Sequence, residues 1–184
     1  EQNEKIVKKA IQYQSRGVIG VDLAGTETHT IELTDAVDKY ARIFERARDA
    51  GLGTTIHTGE TKATSGEGVI AVVQKLKPDR IGHGIRAAYS EEALQLLAET
   101  QTVLEICPTS NLHTRAVLHL EEFRFILNTF VDHGVPITIN TDGTYLCNTN
   151  LEREFRILGE SGILAADQLE TIRKRAFEVS FLEN

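Results

Sequence analysis

A histidine and a glutamate three residues apart close a short β-branched run, Thr54-Thr55-Ile56-His57-Thr58-Gly59-Glu60. Imidazole serves as a metal ligand or a base, and a carboxyl as a ligand or a proton donor. The same layout recurs downstream. Arg80-Ile81-Gly82-His83-Gly84 follows a turn at Pro78-Asp79, and Val135-Pro136-Ile137-Thr138-Ile139-Asn140-Thr141-Asp142 ends an apolar run on a carboxylate. His57 and Asp142 suit Zn2+, which takes nitrogen and oxygen donors at about 2.0–2.2 Å. His83 is either a third ligand or the group beside the metal that handles the proton of a bound water. Glu60 is placed to pass a proton to a substrate. A metal-activated hydroxide with an acid–base carboxylate is the apparatus of metal-assisted hydrolysis. Each residue also has a plainer reading. Asp142 with Gly143 could be a turn, and Glu60 a helix N-terminal acid. His29, His113, His119 and His133 are read as ordinary, partly buried histidines. Three tips in one strand-end context weigh against coincidence.

Such tips need elements to hold them. Strand-like runs lie at 18–24, 54–57, 80–83, 103–107 and 136–141. Helical stripes lie at 4–16, 35–50, 66–77, about 90–99, 120–133, 149–159 and 166–177. Gly17, Gly51 and Gly134 stop helices, Ser90 and the Thr34-Asp35 pair start them, and Pro108 ends a strand. Strands alternating with helices predict βαβ units and a parallel sheet. Every strand ends in polar groups: Asp22 and Gly25, His57 and Glu60, His83, Cys107 with Ser110 and Asn111, and Asp142. An open doubly wound sheet concentrates its ligand site at one switch point, whereas a barrel turns all its tips to one mouth. The pattern predicts an α/β fold of the (β/α)8 TIM-barrel type. A whole barrel takes ~250 residues, so 184 residues with five strands predict a fragment: one partial metal-dependent hydrolase barrel over 1–184, its first strands lacking. Gly51-Leu52-Gly53 precedes a strand and lacks the third glycine of a dinucleotide loop.

Composition excludes other classes. The chain is 41% hydrophobic and 26% charged, an ordinary globular balance. Its net charge of -7 argues against nucleic acid as a partner. No apolar run approaches the ~20 residues that span a bilayer. The polar start, Glu1-Gln2-Asn3-Glu4-Lys5, does not read as a secretory signal, and a cytoplasmic location is expected. Cys107 and Cys147 read as reduced thiols. The chain opens on Glu1 and contains no Met, which fits a processed chain or a fragment.

Five blocks resemble the adenosine deaminase family of metal-dependent amidohydrolases, in family order. They are Val21-Asp22-Leu23-Ala24-Gly25-Thr26-Glu27, His57-Thr58-Gly59-Glu60, Arg80-Ile81-Gly82-His83-Gly84, Glu105-Ile106-Cys107-Pro108-Thr109-Ser110-Asn111, and Asn140-Thr141-Asp142. The resemblance implies a zinc enzyme on a (β/α)8 barrel that removes the 6-amino group of adenosine or a related purine nucleoside. It implies His57 and Asp142 as zinc ligands and Glu60 as the acid that protonates purine N1. It implies His83 as the residue that orients and deprotonates the zinc-bound water, and Gly25 as the backbone N–H that binds purine N3. Two departures stand out. The His-x-His that supplies the family's other zinc ligands does not occur here, and the five strands match the family's last five. Another chain, or a preceding segment, is then expected to complete the barrel. A partial barrel is also expected to bare strand edges and an apolar interior, which favours association. The second departure is Gly143, where the family has a second Asp that contacts purine N7. Two rivals follow. One is another amidohydrolase acting on an amide, ester or nucleotide, and the other is a catalytically incomplete fragment serving as an interaction module.

Overall fold

The computed structural model describes residues 2–26 and 37–182 of the chain, with the side chains of 37–39 left aside. The Thr34-Asp35 start signal, Glu27 and His29 lie outside these residues. Five strands form one parallel sheet: β1 (Gly20–Leu23), β2 (Gly53–Thr58), β3 (Arg80–His83), β4 (Val103–Ile106) and β5 (Ile137–Ile139). All five lie where the β-branched runs place them. Their spatial order is the chain order, β1-β2-β3-β4-β5. A doubly wound sheet reverses direction at its switch point, and this sheet does not. It is wound one way throughout, as a barrel wall is.

Nine α-helices are described: α1 (Gln2–Gln12), α2 (Val37–Asp49), α3 (Ser65–Leu76), α4 (Glu91–Thr100), α5 (Pro108–His113), α6 (Leu120–Asp132), α7 (Thr144–Cys147), α8 (Leu151–Glu160) and α9 (Ala166–Glu178). Ser90 caps α4 by accepting the Ala93 N–H. Two helices, α5 and α7, and a 3₁₀ turn over Ile85–Tyr89 fall where the sequence reading has loops. Pro108 ends β4 and is also the first residue of α5, where its missing N–H costs nothing.

Register sorts the strand residues into layers. Leu23, Ile56, Ile81, Leu104 and Ile137 stand side by side in one row. Of these, Ile56, Ile81, Leu104 and Ile137 are no more than 1% exposed. This face carries the main core, together with Leu97, Phe123, Ile126, Leu127 and Phe130 from the helices. Alternation puts the intervening residues on the other face. Gly20 pairs with Gly53; Asp22, Thr55, Arg80 and the apolar Val103 form the next row; His57, Gly82, Glu105 and Thr138 form the third. The inner face is therefore polar, which corrects the expected apolar interior. Barrel interiors fill with side-chain layers, and here two of those layers carry charge and one carries glycine.

The glycine layer is covered from within the chain. After α9 the segment Ser180-Phe181-Leu182 turns back so that Phe181 lies on Gly20 and Gly53. A Cβ on Gly53 would stand 2.3 Å from that ring, and one on Gly20 2.9 Å. The Arg80 guanidinium stacks on the Phe181 ring, 3.6 Å from its centroid. Arg80 also donates to Glu105 Oε1 at 2.8 Å and to the Val179 carbonyl at 2.6 Å.

Candidate functional site

The C-terminal tips of the strands form a rim, and the five residues singled out from the sequence all lie along it. His83 ends β3 with φ 65°, and Asp142 follows β5 with φ 55°. Left-handed backbone at residues other than glycine is uncommon and collects at functional sites. Gly59 and Gly84 share the conformation beside them. The rim is thus built from turns that re-aim side chains away from the strand direction.

Glu60 and His83 meet. His83 Nε2 stands 3.7 Å from Glu60 Oε2, with His83 3% and Glu60 23% exposed at the side chain. Asn111, fully buried on α5, joins them. Its Nδ2 lies 3.0 Å from His83 Nδ1 and donates to Glu60 Oε1 at 3.4 Å. Thr114 Oγ1 donates to the same Glu60 oxygen at 3.4 Å. With Asn111 Nδ2 as donor, His83 accepts at Nδ1 and holds its proton at Nε2. The Asn111 carbonyl oxygen is buried without a partner among the described residues.

His57 stands beside this group, its ring 5.4 Å from the His83 ring in an edge-on arrangement. Its Nδ1 lies 3.1 Å from Asp22 Oδ1 on the neighbouring strand. That hydrogen bond raises the His57 pKa above 6.5; burial opposes the rise, and the negative charges of Asp22, Glu105 and Asp142 add to it. Gly82 makes room for the imidazole, since a Cβ there would come within 2.8 Å of it. Asp142 is held from the other side, accepting the Ser110 hydroxyl at Oδ2 across 2.6 Å. Gly143 caps the short helix α7. Gly25, at φ 150°, lies two residues past β1, and its Cα faces open space.

The donor set was tested against zinc. A ligating histidine carries a carboxylate on its second ring nitrogen, and a ligating carboxylate is itself hydrogen-bonded. His57 has Asp22 on Nδ1, which turns Nε2 outward, and Asp142 has Ser110 on one oxygen. These two residues therefore fit as ligands. No group of three His, Cys, Asp or Glu able to hold a metal occurs among the described residues. The fit is to half of a site.

Several partners escaped the sequence reading as contributors. Asp22, Ser110 and Asn111 appear in it as polar strand tips without roles, and Thr114 does not appear. Their signal is tertiary, because each acts on a residue 28 to 54 positions away. The plain histidines are more exposed than expected. His113 and His133 are exposed, and His119 caps α6 by accepting the Glu122 N–H. Cys107 and Cys147 are both free thiols, and burial pushes the Cys107 thiol far up, aided by the surrounding carboxylates.

Comparison with known proteins bears on this geometry. A family model described as Adenosine deaminase matches residues 1–184. An adenosine deaminase of Clostridium botulinum is 36% identical over 178 residues, which is 96% of this chain and 50% of that protein. An N6-mAMP deaminase of Arabidopsis superposes with a TM-score of 0.78 at 26% identity, covering 100% of this chain and 52% of the other. An amidohydrolase of Burkholderia ambifaria with bound Zn shares the fold at a TM-score of 0.79 and 19% identity, over 99% of this chain and 50% of the other. The chain spans about half the length of the curated relatives it matches.

Proposed function

The chain belongs to the adenosine deaminase family, and from that premise we propose that it is the C-terminal five βα units of a barrel that hydrolytically deaminates adenosine or a related 6-aminopurine. The observation that carries the reading is the buried join of Glu60, His83 and Asn111 next to His57. The Zn bound by the Burkholderia amidohydrolase and the purine substrate named for the Arabidopsis deaminase support it.

His57 and Asp142 would hold Zn2+ together with ligands from outside this chain. Zinc held there would supply a water whose pKa is lowered towards about 7. The other roles belong to the chain. Glu60 donates a proton to ring N1, which leaves C6 electron-poor, and must reach the purine in its acid form. His83 takes the proton of the attacking water through Nε2. That requires the tautomer with the proton on Nδ1. Turning the Asn111 amide over would bring its oxygen to that Nδ1–H; the same oxygen would then accept the Glu60 acid proton in place of the N–H that Glu60 accepts here, and the amide NH2 would take the place of the oxygen. The Gly25 N–H fixes purine N3; the water oxygen bonds to C6, His83 returns its proton to the amino nitrogen, and the C6–N bond breaks to release ammonia. Gly143 leaves N7 without a carboxylate, so nothing at N7 separates adenosine from a modified adenosine, adenine or another aminopurine.

The test is deamination of adenosine and N6-substituted adenine nucleotides by the full-length protein, followed by ultraviolet absorbance. Glu60→Gln should lower kcat by about 10²–10⁴-fold, the range of general acid catalysis. Undiminished turnover in that variant overturns the acid role. The rival of a different amidohydrolase predicts cleavage of cyclic amides or esters and indifference to every 6-aminopurine.

A further inference from the structure

We propose that Glu154 is a positioning residue for this reaction: a fully buried carboxylate that seats α5 and thereby aligns both sides of the rim. The proposal rests on the functional reading above. Glu154 is 0% exposed on α8, a helix whose other acids face solvent. A buried carboxylate is costly unless its oxygens are satisfied. Here they are, from two directions. Oε2 accepts the Thr109 N–H at 2.9 Å, and Oε1 accepts the hydroxyl of Thr149, which is itself buried.

The Thr109 N–H belongs to the first turn of α5, where backbone donors have no partner within the helix. A helix of six residues has little stability of its own. Its seat is set by what it touches, and Glu154 takes its leading end. The next two residues are the ones that matter to the rim. Ser110 holds Asp142 at 2.6 Å, and Asn111 meets His83 at 3.0 Å and Glu60 at 3.4 Å. Adjacent residues of one short helix thus fix the metal side and the acid–base side. A shift of α5 moves both together. The chain also closes on itself here, since α8 follows Asp142 through α7 and returns to grip α5. Glu154 touches none of the reacting groups and acts through this helix.

The test uses the full-length protein with Glu154→Ala and Glu154→Gln. Glutamine keeps an acceptor for the Thr109 N–H and a partner for the Thr149 hydroxyl. Glu154→Ala should lower kcat by about 10–100-fold, the usual loss when an outer partner of a site is removed, with KM little changed. Glu154→Gln should restore most of it. The 15N signals of the His83 ring, read at one pH in the same samples, should move in Glu154→Ala and return in Glu154→Gln. If Glu154→Ala does not fold, Thr149→Val carries the test, with a several-fold loss of kcat and a smaller displacement of the same signals. A folded variant with unchanged kcat and unchanged His83 signals overturns the proposal. Should the wild type ignore every aminopurine while the His83 signals still respond, the positioning role stands and the assigned reaction falls.

Discussion

The acid–base side of the rim and the metal side are built differently. Glu60, His83 and Asn111 form a closed group, with His83 3% exposed and Asn111 fully buried, and each is tied to another by a contact from this chain. His57 and Asp22 are 33% and 43% exposed at the side chain, and Asp142 is exposed and held by one hydroxyl. One side is part of the core and the other stands on its surface. The difference teaches that the groups handling protons are positioned by packing, while those suited to zinc are positioned, among the described residues, by a single side-chain hydrogen bond each and have a face left for further ligands. Function on the two sides should therefore fail in different ways.

His57→Ala offers the widest separation. In the full-length protein it should cost more activity than the about 10–100-fold typical of an outer partner, with zinc content falling in step. In the 184-residue chain, the same change should alter unfolding in urea by no more than about 1 kcal/mol, the most that a partly exposed pair contributes. A large stability loss there would place His57 in the core and dissolve the contrast. Asn111→Ala is the converse. Removing a buried amide leaves His83 and Glu60 short of a partner and should cost about 1–3 kcal/mol in the same urea experiment. A neutral result would mean that the acid–base side is no more integral than the metal side.

The smallest effect concerns pH. The Asp22 hydrogen bond raises the pKa of His57 in the folded, metal-free chain above 6.5. A raised value means that the pair's contribution is complete below the unfolded pKa, near 6.5, and disappears as pH climbs through the folded one. The pair is partly exposed, so the contribution is at most about 1 kcal/mol. Wild type should exceed Asp22→Asn in urea stability by most near pH 5.5, and the gap should narrow by pH 8.5. A gap that widens with pH reverses the sign and refutes the pairing.

The elements of both sides were legible from sequence and the joints were not. β-branched runs ending in polar residues gave five strands in their right places, since period and punctuation are local properties. Pro108 illustrates the limit. Read along the chain it is a strand stop, and only in three dimensions is it also the start of α5, the helix that links the two sides. The inner face was misjudged for a similar reason. Thr55, His57, Arg80, Glu105 and Thr138 are spread over four strands, and only the register gathers them into polar layers. His57, Glu60, His83 and Asp142 could be picked out by type and spacing. Asp22, Ser110, Asn111 and Thr114, which orient them, are ordinary polar residues whose contribution lies wholly in where the fold brings them.

Phe181 has a bearing on how such a sheet comes into being. Synthesis runs from the N-terminus, and domains begin to organise as the chain emerges. Gly20 and Gly53 appear before the ring that covers them, which follows all five described strands. Until then the lower end of the sheet is bare backbone next to the unstacked guanidinium of Arg80. A ribosome that stops short of residue 181 would release five strands with all their rim chemistry and no floor. Quality control that senses exposed backbone would then have, in this one ring, a marker that synthesis has passed β5 and α9.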